Sequence, residues 1–144
     1  MKKLATIASV LVLSLTMGMT AAHAGNKAKV DQFGFLNGFQ GKQIGSGNQI
    51  RGIQAGAFNS AKVGQLGFGN KAGVGQLGFG HSSTITQIGI GNQAGSSQVG
   101  VGHTSKITQF GVGNGAATFQ SGTGQDSDIT QVGGGNQAIV EQSD

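Results

Sequence analysis

Amide side chains are the residues whose type and spacing carry the most chemical information in this chain. Glutamine recurs every eleven residues from Gln32 to Gln142, and a glycine stands two residues after each of the first ten. An amide both donates and accepts, so identical amides stacked at the strand spacing of roughly 4.8 Å can bond to the one above and the one below. The spacing therefore predicts hydrogen-bonded ladders.

We number each eleven-residue unit from its glutamine, which is position 1; the asparagines of alternate units then fall at position 6. The predicted ladder and assembly residues are Gln43, Gln54, Gln65, Gln76, Gln87, Gln98, Gln109, Gln120, Gln131, Gln142, Asn48, Asn70, Asn92, Asn114 and Asn136. A polar interior is stable only when its amides are paired. We expect these columns to continue from one copy of the chain into the next.

The His and acidic residues of the sequence give little support to a catalytic or metal-binding site. His81 and His103 are 22 residues apart, so stacked coils would bring their rings together, but four of the five acidic residues lie in the last 19 residues. The amides on either side of the two imidazoles are poor further ligands for zinc or copper. We predict no catalytic residue, no metal site and no cofactor, and a loss of stability when the stacked rings protonate below pH ~6.5.

Short strands must position these side chains. Position 3 is always glycine, position 5 is usually glycine, and position 6 is Asn, His or Gln. Gly and Asn accept positive φ most readily, which is typical of turns. We expect a strand from position 7 to position 3 or 4 of the next unit, and then a turn. The predicted turn glycines are Gly45, Gly47, Gly67, Gly69, Gly89, Gly91, Gly111, Gly113, Gly133 and Gly135.

The distribution of charge indicates which face of the strand is buried. Charged residues fall at positions 7, 9 and 11, and none occupies position 1, 3, 6, 8 or 10 of a complete unit. Because an unpaired buried charge is very costly, the charge-free face is predicted to be the interior. Positions 2 and 4 then face outward although they are apolar. This predicted outer apolar stripe contains Leu66, Phe68, Leu77, Phe79, Ile88 and Ile90, and it favours lateral bundling or adhesion.

A second period, of 22 residues, sets the size of a coil. Alternate units carry asparagine at position 6, whereas three of the others carry His81, His103 and Gln125 there. We predict an all-β fold, a two-sheet cross-β solenoid of about five 22-residue coils, each with two strands and two turns. No capping element is evident at either end, so the end strands invite another chain.

The N-terminus predicts export. Lys2 and Lys3 precede an apolar run that ends near Ala22-His23-Ala24, the pattern of a cleaved secretory signal peptide. The expected division is a signal peptide at 1–24, a short N-terminal segment at 25–31 and the repeat solenoid at 32–144. The formal charge is +4, with basic residues early and acidic residues late, which favours head-to-tail stacking. Without clustered arginines we predict no nucleic-acid partner, and no membrane insertion.

The repeats resemble those of a known family. The segments that begin at Gln65, Gln87 and Gln131 are similar to the curlin repeat, Q-x-G-x-G-N-x-A-x-x-x-Q. The resemblance implies a subunit of curli, the extracellular bacterial amyloid fibre of biofilm matrix and surface adhesion. It also implies passage through the periplasm and a dedicated outer-membrane pore, and seeding by a nucleating subunit. The regular repeats and acidic tail favour the major subunit, which polymerises with copies of itself.

Two departures from the family pattern and three alternatives accompany this resemblance. His81, His103 and Gln125 stand where the family often has serine, and the segment before the first repeat is shorter than usual. The alternatives are a nucleator (minor) subunit, an ice-binding solenoid with only a partial threonine array, and a β-solenoid adhesin.

Overall fold

Residues 25–144, which the computed structural model describes, fold as short strands joined by tight turns. The strands are β1 (Lys27–Phe35), β2 (Gly38–Ser46), β3 (Gln49–Ala57), β4 (Ser60–Phe68), β5 (Lys71–Phe79), β6 (Ser82–Ile90), β7 (Gln93–Val101), β8 (Thr104–Val112), β9 (Gly115–Thr123), β10 (Asp126–Gly134) and β11 (Gln137–Ser143). Within a unit, each turn occupies positions 5 and 6. The predicted signal peptide lies outside the described residues.

The strands alternate between two parallel sheets. The odd sheet has the order β1-β3-β5-β7-β9-β11, and the even sheet has the order β10-β8-β6-β4-β2. Each residue pairs with the residue 22 positions away, as Gln54 does with Gln76 and Gln65 with Gln87. These pairings confirm the predicted all-β, two-sheet solenoid of about five coils. No helix among the described residues is long and apolar enough to cross a membrane.

The interior between the sheets is thin and largely polar. Its buried aliphatic residues are Ile50, Ala61, Val63, Ala72, Val74, Ile85, Ala94, Ile107, Ala116 and Ile129. They share this space with a larger set of buried Gln, Asn, Ser, Thr and His side chains. Over residues 25–144 no Lys, Arg, Asp or Glu is buried, which confirms that the charge-free face points inward.

The first coils replace small residues by large ones and compensate locally. Phe39 occupies the position that is usually Ala or Ser, and its ring fills the space that a side chain at Gly52 would take. Leu36 and Phe58 replace the position-5 glycine and keep its left-handed backbone, with φ of 52° and 59°. This backbone is unfavourable for a side chain with a Cβ, so the early turns are strained relative to the later ones.

The solenoid begins earlier than predicted. Lys27 to Asp31 belong to β1 and pair in register with β3, so residues 25–31 are not a separate segment. Asn26 already stands at position 6 of this incomplete unit, and its Oδ1 accepts a hydrogen bond from the backbone N–H of Asn48 at 2.9 Å. The prediction missed this half-unit because the position that should hold its glutamine is Ala21.

Candidate functional site

The glutamines form two continuous columns, one along each sheet. Gln87 Nε2 donates to Oε1 of Gln109 at 2.9 Å, and Gln87 Oε1 accepts from Nε2 of Gln65 at 2.8 Å. The second Nε2 hydrogen of Gln87 goes across the interior to the carbonyl of Lys71, on the odd sheet, at 3.0 Å. The same two bonds recur along the stack, so each interior glutamine joins neighbouring coils and also joins the two sheets.

The asparagine side chains bond mainly to backbone groups in and beside the turns, and less to one another. Asn92 Nδ2 donates to the backbone oxygens of Ile88 and Gly111 at 3.3 and 3.0 Å, and its Oδ1 accepts from the backbone N–H of Asn114. Asn70 Nδ2 also donates directly to Oδ1 of Asn48, at 3.2 Å, but such amide-to-amide bonds are the exception in this column. The predicted side-chain ladder is therefore corrected to a column that runs mainly through side-chain-to-backbone bonds, which reach Gly111 and Asn114 in the next coil.

Half of the glycines predicted to lie in turns lie inside strands instead. These are the position-3 glycines Gly45, Gly67, Gly89, Gly111 and Gly133, whereas the position-5 glycines Gly47, Gly69, Gly91, Gly113 and Gly135 do lie in turns. Gly89 has φ +128°, and a side chain there would overlap the backbone oxygen of Gly111 in the next coil. The close approach at position 3 therefore runs along one sheet, from each strand to the strand of the next coil.

The two described histidines stack in one turn column, which is formed by the turns that lead from odd strands to even strands. The rings of His81 and His103 have centroids 5.0 Å apart and are inclined by 8°. Nε2 of each ring lies 3.0–3.1 Å from a backbone oxygen, that of Leu77 or Val99, while Nδ1 accepts a backbone N–H from the next coil. This pattern requires the neutral tautomer with the proton on Nε2, and it leaves no ring nitrogen for a metal.

Burial lowers the pKa of His81 below its usual 6.5. The neighbouring His103 ring lowers the pKa further, while hydrogen bonds to the oxygens of Leu77 and Gly100 oppose both effects. A folded-state pKa below the unfolded value means that the unfolded chain binds more protons in the interval between them. This contribution to stability is therefore complete above pH 6.5 and is lost as the pH falls toward the folded value.

We expect the coils around His81 to open more readily at pH 5 than at pH 8. Protonation of Nδ1 would place two donors against each other, since that atom accepts the N–H of His103. Amide hydrogen exchange at His103 and Gln125 measures the opening. The His81→Asn/His103→Asn variant is the control and should lose this pH dependence, since asparagine keeps the acceptor. Equal pH dependence in both proteins would contradict the assignment.

The outer apolar stripe lies on the surface of both sheets. Leu66, Phe68, Leu77, Phe79 and Ile90 are between 44% and 58% exposed, and Ile88 is partly buried. Phe79 also contacts Phe58, with ring centroids 5.1 Å apart, so aromatic residues gather at one edge of the odd sheet. Sequence reasoning missed Phe58 as a member because it occupies a turn position.

The odd sheet carries an open groove on its outer surface. This groove of about 1360 Å³ runs along the sheet over small residues such as Gly73 and Gly95, with Lys29 and Arg51 near one end. Within residues 25–144 no group of three or more His, Asp or Glu residues is placed to hold a metal ion. The stacked columns and the outer apolar stripe are the most regular features of the described residues.

Comparison with known families identifies the repeat. Residues 56–89 match the curlin associated repeat. This segment runs from the end of β3 to the end of β6 and contains three ladder glutamines. The same register and the same glutamine bonds continue on both sides of it, from Gln32 to Gln142. No curated protein matches the chain.

Proposed function

The match of residues 56–89 to the curlin associated repeat supports membership of the curlin family, and on that premise we propose that this chain is a secreted structural subunit that self-assembles head-to-tail into extracellular amyloid fibres. The fibres would serve biofilm matrix and surface adhesion, as the resemblance implies. Among the alternatives we favour the major, polymerising subunit over the nucleator.

The observation that carries this proposal is that the stack remains open at both ends. Among the described strands, β1 and β11 each have one neighbour in the odd sheet, and β2 and β10 each have one in the even sheet. The glutamine columns also reach these ends, so a further strand would extend both the backbone pairing and the ladder. Exposed strand edges of this kind are templates for adding another chain.

The proposal is tested with the purified chain from Gly25 to Asp144. We expect growth of thioflavin-positive fibres after a lag, abolition of the lag by preformed fibres, and cross-β diffraction near ~4.7 Å. Growth without any partner supports the major subunit, and growth only when another curlin-repeat protein is added supports the nucleator alternative. A chain that stays monomeric and shows thermal hysteresis would instead support the ice-binding alternative.

Export and partners form part of the same proposal. The expected route uses the signal peptide at 1–24, the periplasm and a dedicated outer-membrane pore, and a nucleating subunit seeds growth at the cell surface. A reporter fused after Asp144 should appear outside the cell only when the signal peptide and the pore are both present. Retention in the periplasm despite an intact pore would contradict this route.

We also expect filaments to bundle laterally through the outer apolar stripe. Phe68→Ser with Phe79→Ser should leave single filaments intact but reduce bundles, because both rings are more than half exposed and add little to the interior. Thr84→Ser with Gln93→Ser changes two polar outward positions and serves as the control. Electron microscopy measures bundle width, and unchanged bundling in the phenylalanine variant would contradict the role.

A further inference from the structure

The two ends of the solenoid are staggered, because the described part of the chain has an odd number of strands. The odd sheet contains six strands and ends at β11, whereas the even sheet contains five and ends at β10. Beyond β10, the even sheet therefore lacks the strand that would complete the last coil. A second copy that continues the solenoid without a break must begin in the even sheet.

We propose that successive copies in the fibre are related by a half-turn about the fibre axis. The β1 strand of the next copy then follows β10 in the even sheet, and its β2 strand follows β11 in the odd sheet. This proposal rests on the head-to-tail assembly proposed above and specifies its symmetry. Each sheet of the fibre then contains the odd strands of one copy, followed by the even strands of the next copy.

A half-turn preserves both strand direction and register. Consecutive strands run in opposite directions across the interior, and strands within a sheet are parallel. Rotation by half a turn exchanges the sheets and reverses each strand, so the incoming β1 is parallel to β10. Continuing the 22-residue register places Gln32 of the next copy on Gln131, and Gln43 of the next copy on Gln142, which extends both glutamine columns.

The charges at the two ends match in this arrangement. Asp126 and Asp128 of β10 meet Lys27 and Lys29 of the next copy, and Glu141 of β11 meets Lys42. All six side chains are exposed, and each pair occupies the same position of the repeat. Lys106 and Asp128, which face each other on neighbouring coils within one copy, form an ion pair at 3.0 Å. Residues stacked in this way can therefore reach each other.

The turn column that contains His81 and His103 ends beside β10 with a hydrogen-bond acceptor that has no donor within residues 25–144, the side-chain oxygen of Gln125. His81 and His103 each accept the backbone N–H of the residue that follows them in the column. Gln125 is the last member of this column among the described residues, and its buried Oε1 has no hydrogen-bond partner there. The half-turn places Asn26 of the next copy at the following level, where its backbone N–H is the expected donor.

Stacking without rotation is less favourable both for the charge pairs and for the pairing of backbone groups. It would place β1 of the next copy on β11, so that Asp31 faces Glu141 and the three opposite-charge pairs are lost. It would also leave the even sheet one strand short, with β10 and the incoming β2 separated by two strand spacings, or roughly 9.6 Å. Backbone groups of both strands would then lack partners inside the fibre.

Cysteine cross-linking distinguishes the two arrangements, since the chain has no natural cysteine. Fibres are grown from an equal mixture of Lys42→Cys and Glu141→Cys chains, and separately from Asp31→Cys and Glu141→Cys chains, and are then oxidised. Stacked Cα atoms at roughly 4.8 Å lie within the range of about 4.4–6.8 Å that disulfides span. Peptide mass spectrometry without reduction identifies the pairs formed. A Lys106→Cys/Asp128→Cys chain is the positive control within one copy.

We expect the 42–141 disulfide to exceed the 31–141 disulfide by at least about tenfold, since only the half-turn stacks the first pair. A dominant 31–141 disulfide would overturn the half-turn while leaving head-to-tail assembly intact. Fibres that form neither disulfide, although the positive control oxidises, would overturn end-to-end stacking in this register. Failure to form fibres at all would overturn the proposed function, and this inference with it.

Discussion

Gly89→Ala is expected to destabilise the folded chain by about 2–5 kcal/mol. The backbone at Gly89 has φ +128°, and a Cβ there would overlap the carbonyl oxygen of Gly111. Strain at positive φ costs about 1–2 kcal/mol and overpacking about 1–3 kcal/mol. Neither neighbour can move freely, because both belong to the stacked strands β6 and β8. Urea unfolding measures the loss.

Two nearby glycines provide graded controls for this prediction. Gly91 has φ +66° with open space around it, so Gly91→Ala should cost only the backbone strain of about 1–2 kcal/mol. Gly95 has open space and no positive φ, so Gly95→Ala should be nearly neutral, within about 0.5 kcal/mol. Equal losses at the three positions would contradict a close contact along the sheet.

Gln87→Leu is expected to cost about 3 kcal/mol although leucine is similar in size and more apolar. The substitution removes the bonds from Gln65, to Gln109 and to the carbonyl of Lys71. Each buried polar group left without a partner costs about 1–3 kcal/mol, which outweighs the gain from burying an apolar side chain. Gln87 is fully buried, so water does not replace the lost partners. Unfolding in urea again measures the change.

Gln93→Leu is the matched control, because Gln93 lies on the outer surface of the same solenoid. Its side chain is exposed, and surface substitutions of this kind usually change stability by less than about 0.5 kcal/mol. If Gln87→Leu were as mild as Gln93→Leu, the glutamine column would not hold the coils together. The same pair of variants in seeded fibre growth tests whether the column also supports elongation between copies.

Much of the fold followed from the sequence because the repeat is short and strict. The spacing of Gln and Gly predicted strands from position 7 to position 3 or 4, and the exclusion of Lys, Arg, Asp and Glu predicted the buried face. Both depend on local geometry and on the cost of burying charge, which a single unit already expresses. The match at 56–89 covers part of the repeats on which the curlin resemblance rests.

The errors concern contacts whose partners lie in the next coil. Gly89 was predicted to lie in a turn, since a sequence does not show that the oxygen of Gly111 occupies the space beside it. The bond from Asn92 to the backbone oxygen of Gly111 depends on how coils stack, and the sequence shows only that the amide is present. The early start of β1 was missed because the key glutamine is replaced while the inward pattern at Ala28 and Val30 continues.

The sequence by itself determined a two-sheet solenoid with an uncharged amide interior, because periodicity and charge are properties of the chain order. Only the tertiary structure decided how the amides divide their hydrogen bonds, why position 3 must be glycine, and where each sheet ends. Those features depend on distances between residues 22 positions apart in neighbouring coils. The staggered ends at β10 and β11 are also visible only in the tertiary structure, and the proposed half-turn between copies rests on them.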